Sequence, residues 1–203
     1  MKAICSLLSL FIAILVIISC SSGERTENLQ SKPGYLLFFE ALSAECGNAY
    51  PGDVIVQPET LNMFKEADKM VMHVKECTEN RIYIPFHRQN EDTGEWNSSR
   101  TWIITLHEDG LELRHDHRRP DGSEENETMY GGYSVEDGNE NVQRFQSLPG
   151  TEDAGGEFRG WKIEYFSGEH FTYGTIWGDE WNLMIEFDLS EPIDEPPAPW
   201  GYE

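Results

Sequence analysis

Between Arg100 and His117 the chain alternates apolar and polar residues on both sides of an Asp-Gly dipeptide, R-T-W-I-I-T-L-H-E-D-G-L-E-L-R-H-D-H. Side chains along a strand point to opposite faces with a period of two, so the pattern predicts a β-hairpin with one buried face. Asp109-Gly110 supplies the positive φ angles that a two-residue type I′ turn requires. With the turn there, Glu108 faces Leu111, Leu106 faces Leu113, Ile104 faces His115 and Trp102 faces His117. One face carries Trp102, Ile104, Leu106, Leu111 and Leu113, and His115 and His117 point the same way. The other carries Thr105, His107, Glu112, Arg114 and Asp116, with Ile103 the apolar exception. A one-residue slip would exchange the two faces, so the register is strongly specified.

The remaining elements follow from the same patterning. Tyr35, Phe38, Phe39 and Leu42 recur at helical spacing and predict a short amphipathic helix over residues 35–44. Residues 48–57 read as a first strand, and 58–68 as helical or irregular. Residues 70–77 and 81–88 form a hairpin about Thr78-Glu79-Asn80, with Pro85 implying an edge position or a bulge. A polar loop is expected over 89–99, and an acidic one over 118–127. Residues 129–133 read as a strand with a bulge or tight bend, 141–147 as a weaker strand, and 148–160 as a glycine-rich loop. Three strands follow, at 161–166, 171–177 and 181–189, turning at Ser167-Gly168 and Gly178-Asp179. The tail 191–203 contains P-P-A-P-W-G-Y, an extended polyproline II segment that straps across the domain through Trp200 and Tyr202, or binds a partner. About eight to ten sequential strands with short turns predict an all-β fold, an antiparallel up-and-down meander whose closure into a barrel removes exposed edges. This pattern resembles the calycins, the lipocalin and fatty-acid-binding superfamily, although the lipocalin motif near the first strand is not evident. A β-sandwich is the alternative. The single domain spans 35–190.

Composition narrows the function classes. The 203 residues are 38% hydrophobic and 26% charged, which suits one domain able to bury its own core. Fifteen Lys+Arg against 37 Asp+Glu give a net charge of −22, a field that repels phosphate backbones and excludes a nucleic-acid partner. The acidity favours cationic partners or divalent ions, or serves only as a solvated surface. Six tryptophans and eight tyrosines exceed what a plain barrel core needs, which points to an aromatic-lined pocket for a small apolar or amphipathic ligand.

The first twenty residues change the compartment. Lys2 precedes an apolar run over 3–18 that ends in Ile17-Ile18-Ser19-Cys20. This resembles the bacterial lipoprotein signal, with an aliphatic residue three before the cysteine and a small one directly before it. Ile18 departs from it, since smaller residues are common at the middle position. The resemblance implies a signal peptide over 1–20, lipidation of Cys20, a flexible tether over 21–34, and anchoring to the cell envelope. Ser21 fits outer-membrane sorting. An uncleaved anchor helix or an ordinary signal peptide are the alternatives. With Cys5 removed and Cys20 lipidated, Cys46 and Cys77 remain, and in an oxidising compartment they most simply pair. The bridge closes a loop of about 30 residues, worth about 3–4 kcal/mol in the chain-entropy treatment. A thiolate metal site or a reactive cysteine is the rival, without a C-x-x-C motif to support it.

The stretches Phe38-Phe39-Glu40-Ala41-Leu42, Met72-His73-Val74 through Cys77, Ile84-Pro85-Phe86-His87, Arg100-Thr101-Trp102, His115-Asp116-His117-Arg118 with Asp121-Gly122, and Tyr130-Gly131-Gly132 resemble an uncharacterised group of bacterial secreted proteins. That likeness implies no activity and no catalytic residues. The sharpest chemistry is the His-x-His at 115 and 117, because imidazoles two apart on a strand share a face. As a zinc site it needs a third ligand, from His87, His73 or Glu108, plus a bound water for hydrolysis. No H-E-x-x-H accompanies it, so the plainer reading is a hydrogen-bonded pair at a barrel rim with no cofactor, and zinc is the alternative. No G-x-S-x-G is present, which removes the serine-hydrolase reading. The loop at 121–125 lacks EF-hand spacing for calcium. The expected ligand-contacting set is Trp102, His115, His117, His87 and Tyr130. Three functions follow: a lipid-anchored envelope barrel that binds a small ligand or acts as an accessory, a metal-dependent periplasmic hydrolase using His115, His117 and His87, and a partner-binding envelope module.

Overall fold

Each alternating segment becomes a strand, and the strands pair in chain order. The computed structural model describes residues 32–60, 64–65, 67–136 and 138–202; the signal segment, Cys20 and the tether as far as residue 31 lie outside them. A helix α1 (Gly34–Ser43) precedes β1 (Ala49–Val56), β2 (Lys69–His73), β3 (Glu76–Cys77), β4 (Arg81–Gln89), β5 (Trp96–His107) and β6 (Gly110–His117). Then come β7 (Tyr130–Ser134), β8 (Val142–Gln146), α2 (Leu148–Asp153), β9 (Arg159–Phe166), β10 (His170–Trp177) and β11 (Glu180–Asp188). Neighbours are antiparallel, β11 returns to β1, and β2 pairs with β4, so ten strands close an up-and-down barrel with β3 outside it. Closure removes the edges that a sandwich would leave.

The central hairpin keeps its faces but not its register. Trp102 faces His115, Ile104 faces Leu113, Leu106 faces Leu111 and Arg100 faces His117. Glu108 and Asp109 form the loop, neither of them at positive φ, while Gly110 is already in the ladder. The neighbouring strand β7 fits this register: Ser134 Oγ accepts from the Leu111 N–H at 2.9 Å and occupies the space where a Gly110 side chain would stand. The pairing is displaced by two residues, and a displacement of two preserves which side chains share a face.

Two other expectations are modified. The hairpin of 70–77 with 81–88 forms, but its first arm breaks into β2 and β3, which pair with β4 in registers one residue apart. Pro85 sits where the β2 ladder stops, so its missing N–H interrupts nothing on that side. The loop expected over 89–99 shrinks to a turn, because β5 begins at Trp96. Asn97, Ser98 and Ser99 are polar because they serve a covered outer surface: Ser98 Oγ bonds His87 Nδ1, and Ser98 O accepts from the Trp200 N–H.

Inside the barrel, Ile82, Ile84, Ile104, Leu111, Leu113, Phe145, Ile163, Phe171 and Phe187 are fully buried. Helix α1 closes one end by inserting Phe38 and Leu42, with Phe38 edge-on to Tyr165. Tyr35 Oη donates to the Glu108 carbonyl in the β5–β6 turn. Glu45, just beyond the helix, accepts hydrogen bonds from Tyr50 and Tyr165. The expected disulfide joins Cys46 to Cys77 and ties this end to β3.

The tail straps the outside. Ile193 bridges to Ala49, Glu195 approaches His73 and Lys75, Trp200 bonds β5, and Tyr202 Oη donates to Asp116 beneath the Arg118 guanidinium. The strap covers an unusually polar wall, where His73, His87, Ser98, Thr101 and Asp116 are all buried.

Candidate functional site

At the end opposite α1, the inward positions of β5, β6 and β7 turn polar and aromatic. Cross-strand pairing brings Trp102 to His115, His115 to Tyr130, and Arg100 to His117. His115 is 3% exposed and both ring nitrogens are engaged: Nδ1 lies 3.1 Å from the Tyr130 carbonyl and Nε2 lies 2.5 Å from Tyr173 Oη. A carbonyl only accepts, so Nδ1 carries the proton and Nε2 accepts from the tyrosine. The ring is neutral; burial drives its pKa down to about 3, partly opposed by the bond to Tyr130. Tyr130 stacks on one face of the ring at 4.7 Å, and Trp161 packs tilted beside it at 4.9 Å. Tyr173 in turn stacks on Trp102 at 4.0 Å.

His117 is held less tightly. Its Nε2 lies 3.2 Å from Tyr130 Oη, and its Nδ1 lies 3.8 Å from Glu125. Burial and the positive field of Arg100 lower its pKa, against the pull of Glu125 and Asp116.

The structure thus assembles four of the five expected contact residues, Trp102, His115, His117 and Tyr130. His87 is not among them. Ile82, Ile84 and Phe86 face inward along β4, so His87 faces the outer wall, where it pairs with Val71 and bonds Ser98 beneath the strap; the bulge in the β4–β5 ladder lies opposite it, at Ser98 and Ser99. Burial and the nearby His73 and Lys75 lower its pKa to about 4, and its Nε2 has no partner among the described residues. His73 lies on the same outer wall, two residues along β2 from Val71. Glu108 is in the β5–β6 turn at the α1 end. The wall of the barrel therefore separates His87 and His73 from the His115/His117 pair, and the length of the barrel separates Glu108 from it. Among the described residues no three His, Cys, Asp or Glu side chains come together as metal ligands.

The expected aromatic pocket takes a different form. The interior around Trp102 and His115 is filled, but Tyr130 is 41% exposed and lines a cleft of about 520 Å³ on the barrel surface. The cleft exists because β7 pairs with β8 through only two residue pairs, Tyr133 with Gln146 and Ser134 with Phe145. After Gln146 the chain leaves the sheet and enters α2, with Ser147 Oγ accepting from the Gly150 N–H as its N-cap and Pro149 in the first turn. Tyr130 and Gly131 consequently line the cleft together with Leu148 and Pro149 of α2, while Gly132 packs against the Gln146 backbone at the end of β8. Tyr133 and Leu148, 55% and 62% exposed, form the apolar walls. Arg114 lies over the Tyr133 ring and is held by Glu112.

Sequence reasoning missed Arg100, Trp161, Tyr173, Tyr133 and Leu148. Arg100 was open to inference, since it shares the parity of Trp102. Leu148 and Tyr133 meet only through tertiary packing. No protein-family model, curated protein or solved structure matches the chain.

Proposed function

We propose that the chain is a lipid-anchored envelope β-barrel that binds a small amphipathic ligand, and that the ligand occupies the cleft between β7 and α2. The observation that carries this reading is the cleft itself. Its volume of about 520 Å³ lies within the roughly 300–1,000 Å³ of small-molecule sites. Its lining joins exposed Tyr130, Tyr133, Leu148 and Pro149 to a small number of polar groups, from Arg114, Ser134 and Gln146. Exposed apolar side chains gathered in one place mark a binding surface more often than scattered ones do. Tyr130 also connects the cleft to the interior, because its ring stacks on His115. A ligand that displaced this ring would disturb the histidine cluster, which gives binding an internal readout.

Nile red, a neutral amphipathic dye, is the probe of choice. Fluorescence titration should show saturable binding to the native protein, weakened at least about tenfold in Tyr133→Ala/Leu148→Ser, a loss of about 1.4 kcal/mol or more. Unchanged affinity in that folded variant removes the cleft from the reading. The anchor is tested separately: Cys20→Ala should move the protein from the membrane fraction to the soluble envelope fraction of a bacterial host.

A further inference from the structure

The open end of the barrel holds a second cavity, of about 170 Å³, lined by Phe64, Phe86, Arg88, Asn97 and Arg100. Its chemistry is unlike that of the cleft. Two arginines reach it from adjacent strands, Arg88 from β4 and Arg100 from the inward face of β5, on either side of the bulge in their ladder. Arg88 is fixed in place, with its Nε 3.8 Å from Asp68 and its guanidinium 5.9 Å from the Phe64 ring. Asp68 is buried and accepts hydrogen bonds from the Lys65 and Glu91 N–H groups. Arg100 is different. Its Nη1 donates to Ser99 Oγ at 2.8 Å, and no carboxylate pairs with it among the described residues.

That arrangement is unexpected in a chain of net charge −22. Arg114, Arg118, Arg144 and Arg159 on the outer surface each have an acidic partner. A partly buried guanidinium without one forgoes hydration and receives no ion pair in return. Its cost extends inward, since the Arg100 charge lies among the causes that depress the His115 and His117 pKa values. The opposite wall is apolar: Phe86 stacks on Trp102 at 5.4 Å and meets Phe64 edge-on. Planar guanidinium forks match the geometry of carboxylate and phosphate oxygens, and the Asn97 amide adds a neutral donor.

We infer that this cavity is a binding site for a small organic oxyanion, a carboxylate or phosphate group carried on a short apolar body. The oxygens meet Arg100, Arg88 and Asn97, and the body lies against Phe64 and Phe86. The site does not depend on the β7–α2 cleft, with which it shares no lining residue.

Calorimetric titration of the purified full chain at fixed ionic strength tests it with three probes: benzoate, inorganic phosphate and neutral benzamide. Benzoate should bind, and benzamide should not. Arg100→Gln should weaken benzoate at least about tenfold, and Arg100→Lys, which keeps the charge but loses the fork, should fall between it and the native protein. Thermal unfolding of Arg100→Gln without ligand should be unchanged or higher, because an unpaired cation has been removed; if that variant does not fold, Asn97→Ala and Arg100→Lys carry the test. Inorganic phosphate binding as tightly as benzoate assigns the site to the bare ion, and benzoate binding alone assigns it to an organic acid. Benzamide binding as tightly as benzoate, or native affinity for benzoate in Arg100→Gln, overturns the inference. Tyr133→Ala should leave benzoate affinity intact and Arg100→Gln should leave Nile red affinity intact, so each site can fail without the other.

Discussion

At the end closed by α1 the inward side chains of β4, β5 and β6 are Ile82, Ile84, Ile104, Leu111 and Leu113, whereas at the other end the same three strands present Arg88, Arg100, His115 and His117. The alternation is continuous through both halves; only the chemistry of the inward positions changes. At the closed end the residues require nothing but contact, and Phe38 and Leu42 supply it. At the open end each polar group needs a particular partner. His115 has two, His117 has weaker ones, and Arg100 has no carboxylate among the described residues. Stability is therefore concentrated where the side chains are interchangeable, and binding chemistry where they are not.

The largest test of that division is Phe38→Ala. It removes a fully buried ring from the plug and should cost about 3–5 kcal/mol in urea unfolding. Nile red and benzoate affinities of the protein that remains folded should be unchanged. Breaking the Cys46–Cys77 bridge by Cys46→Ala/Cys77→Ala opens a loop with a sequence separation of 31 and should cost about 3–4 kcal/mol. Its effect should again be confined to the closed end. Loss of either probe in either variant would mean that the two ends are coupled.

Much of the closed end was legible in the sequence, and less of the open end. Periodicity alone places Trp102, Ile104, Leu111 and Leu113 on one face, and it survives the two-residue error in register because the error is a whole period. Helical spacing likewise anticipates α1, while the cysteine count anticipates the disulfide and the proline-rich composition the strap. What periodicity cannot supply is the partner of a polar group. His87 was within reach of the same alternation, because Ile82, Ile84 and Phe86 face inward on β4 and His87 has the opposite parity. The cleft is invisible to it, because it is created by β8 stopping at Gln146, which leaves Tyr130, Gly131 and Gly132 of β7 without a ladder partner on that side. Exceptions to the regular pattern make the sites, and exceptions carry weak sequence signals.

Within the open end, His115 and His117 should separate. His115→Leu leaves the Tyr130 carbonyl and the Tyr173 hydroxyl without their partner, at a cost of about 2 kcal/mol. The neutral histidines also predict acid sensitivity. His115 and His87 titrate in the folded protein at about 3 and about 4, against about 6.5 when unfolded. The unfolded chain then binds the extra protons between these values. Stability is full above about pH 6.5 and is lost as pH falls toward the folded values. Urea midpoints should decline from about pH 7 to pH 5 in the native protein, and His115→Leu should decline less steeply. Equal slopes would show that His115 is not among the groups responsible.

The smallest effect should come from Tyr130→Phe, and it bears most directly on the boundary between interior and cleft. The substitution keeps the ring that stacks on His115 and lines the cleft, and the carbonyl that accepts from Nδ1 is backbone. It removes only the hydroxyl that lies 3.2 Å from His117 Nε2. With His117 already 7% exposed and its Nδ1 toward Glu125, the cost should be about 0.5–1 kcal/mol. Nile red affinity should be unchanged if the ring is what the ligand meets, and reduced if the hydroxyl contributes a hydrogen bond to it. His117→Leu provides the complement, since it removes the imidazole and leaves the Tyr130 hydroxyl toward solvent. If both variants bind Nile red as the native protein does, the cleft works through its apolar walls alone, and His117 belongs to the scaffold with His115.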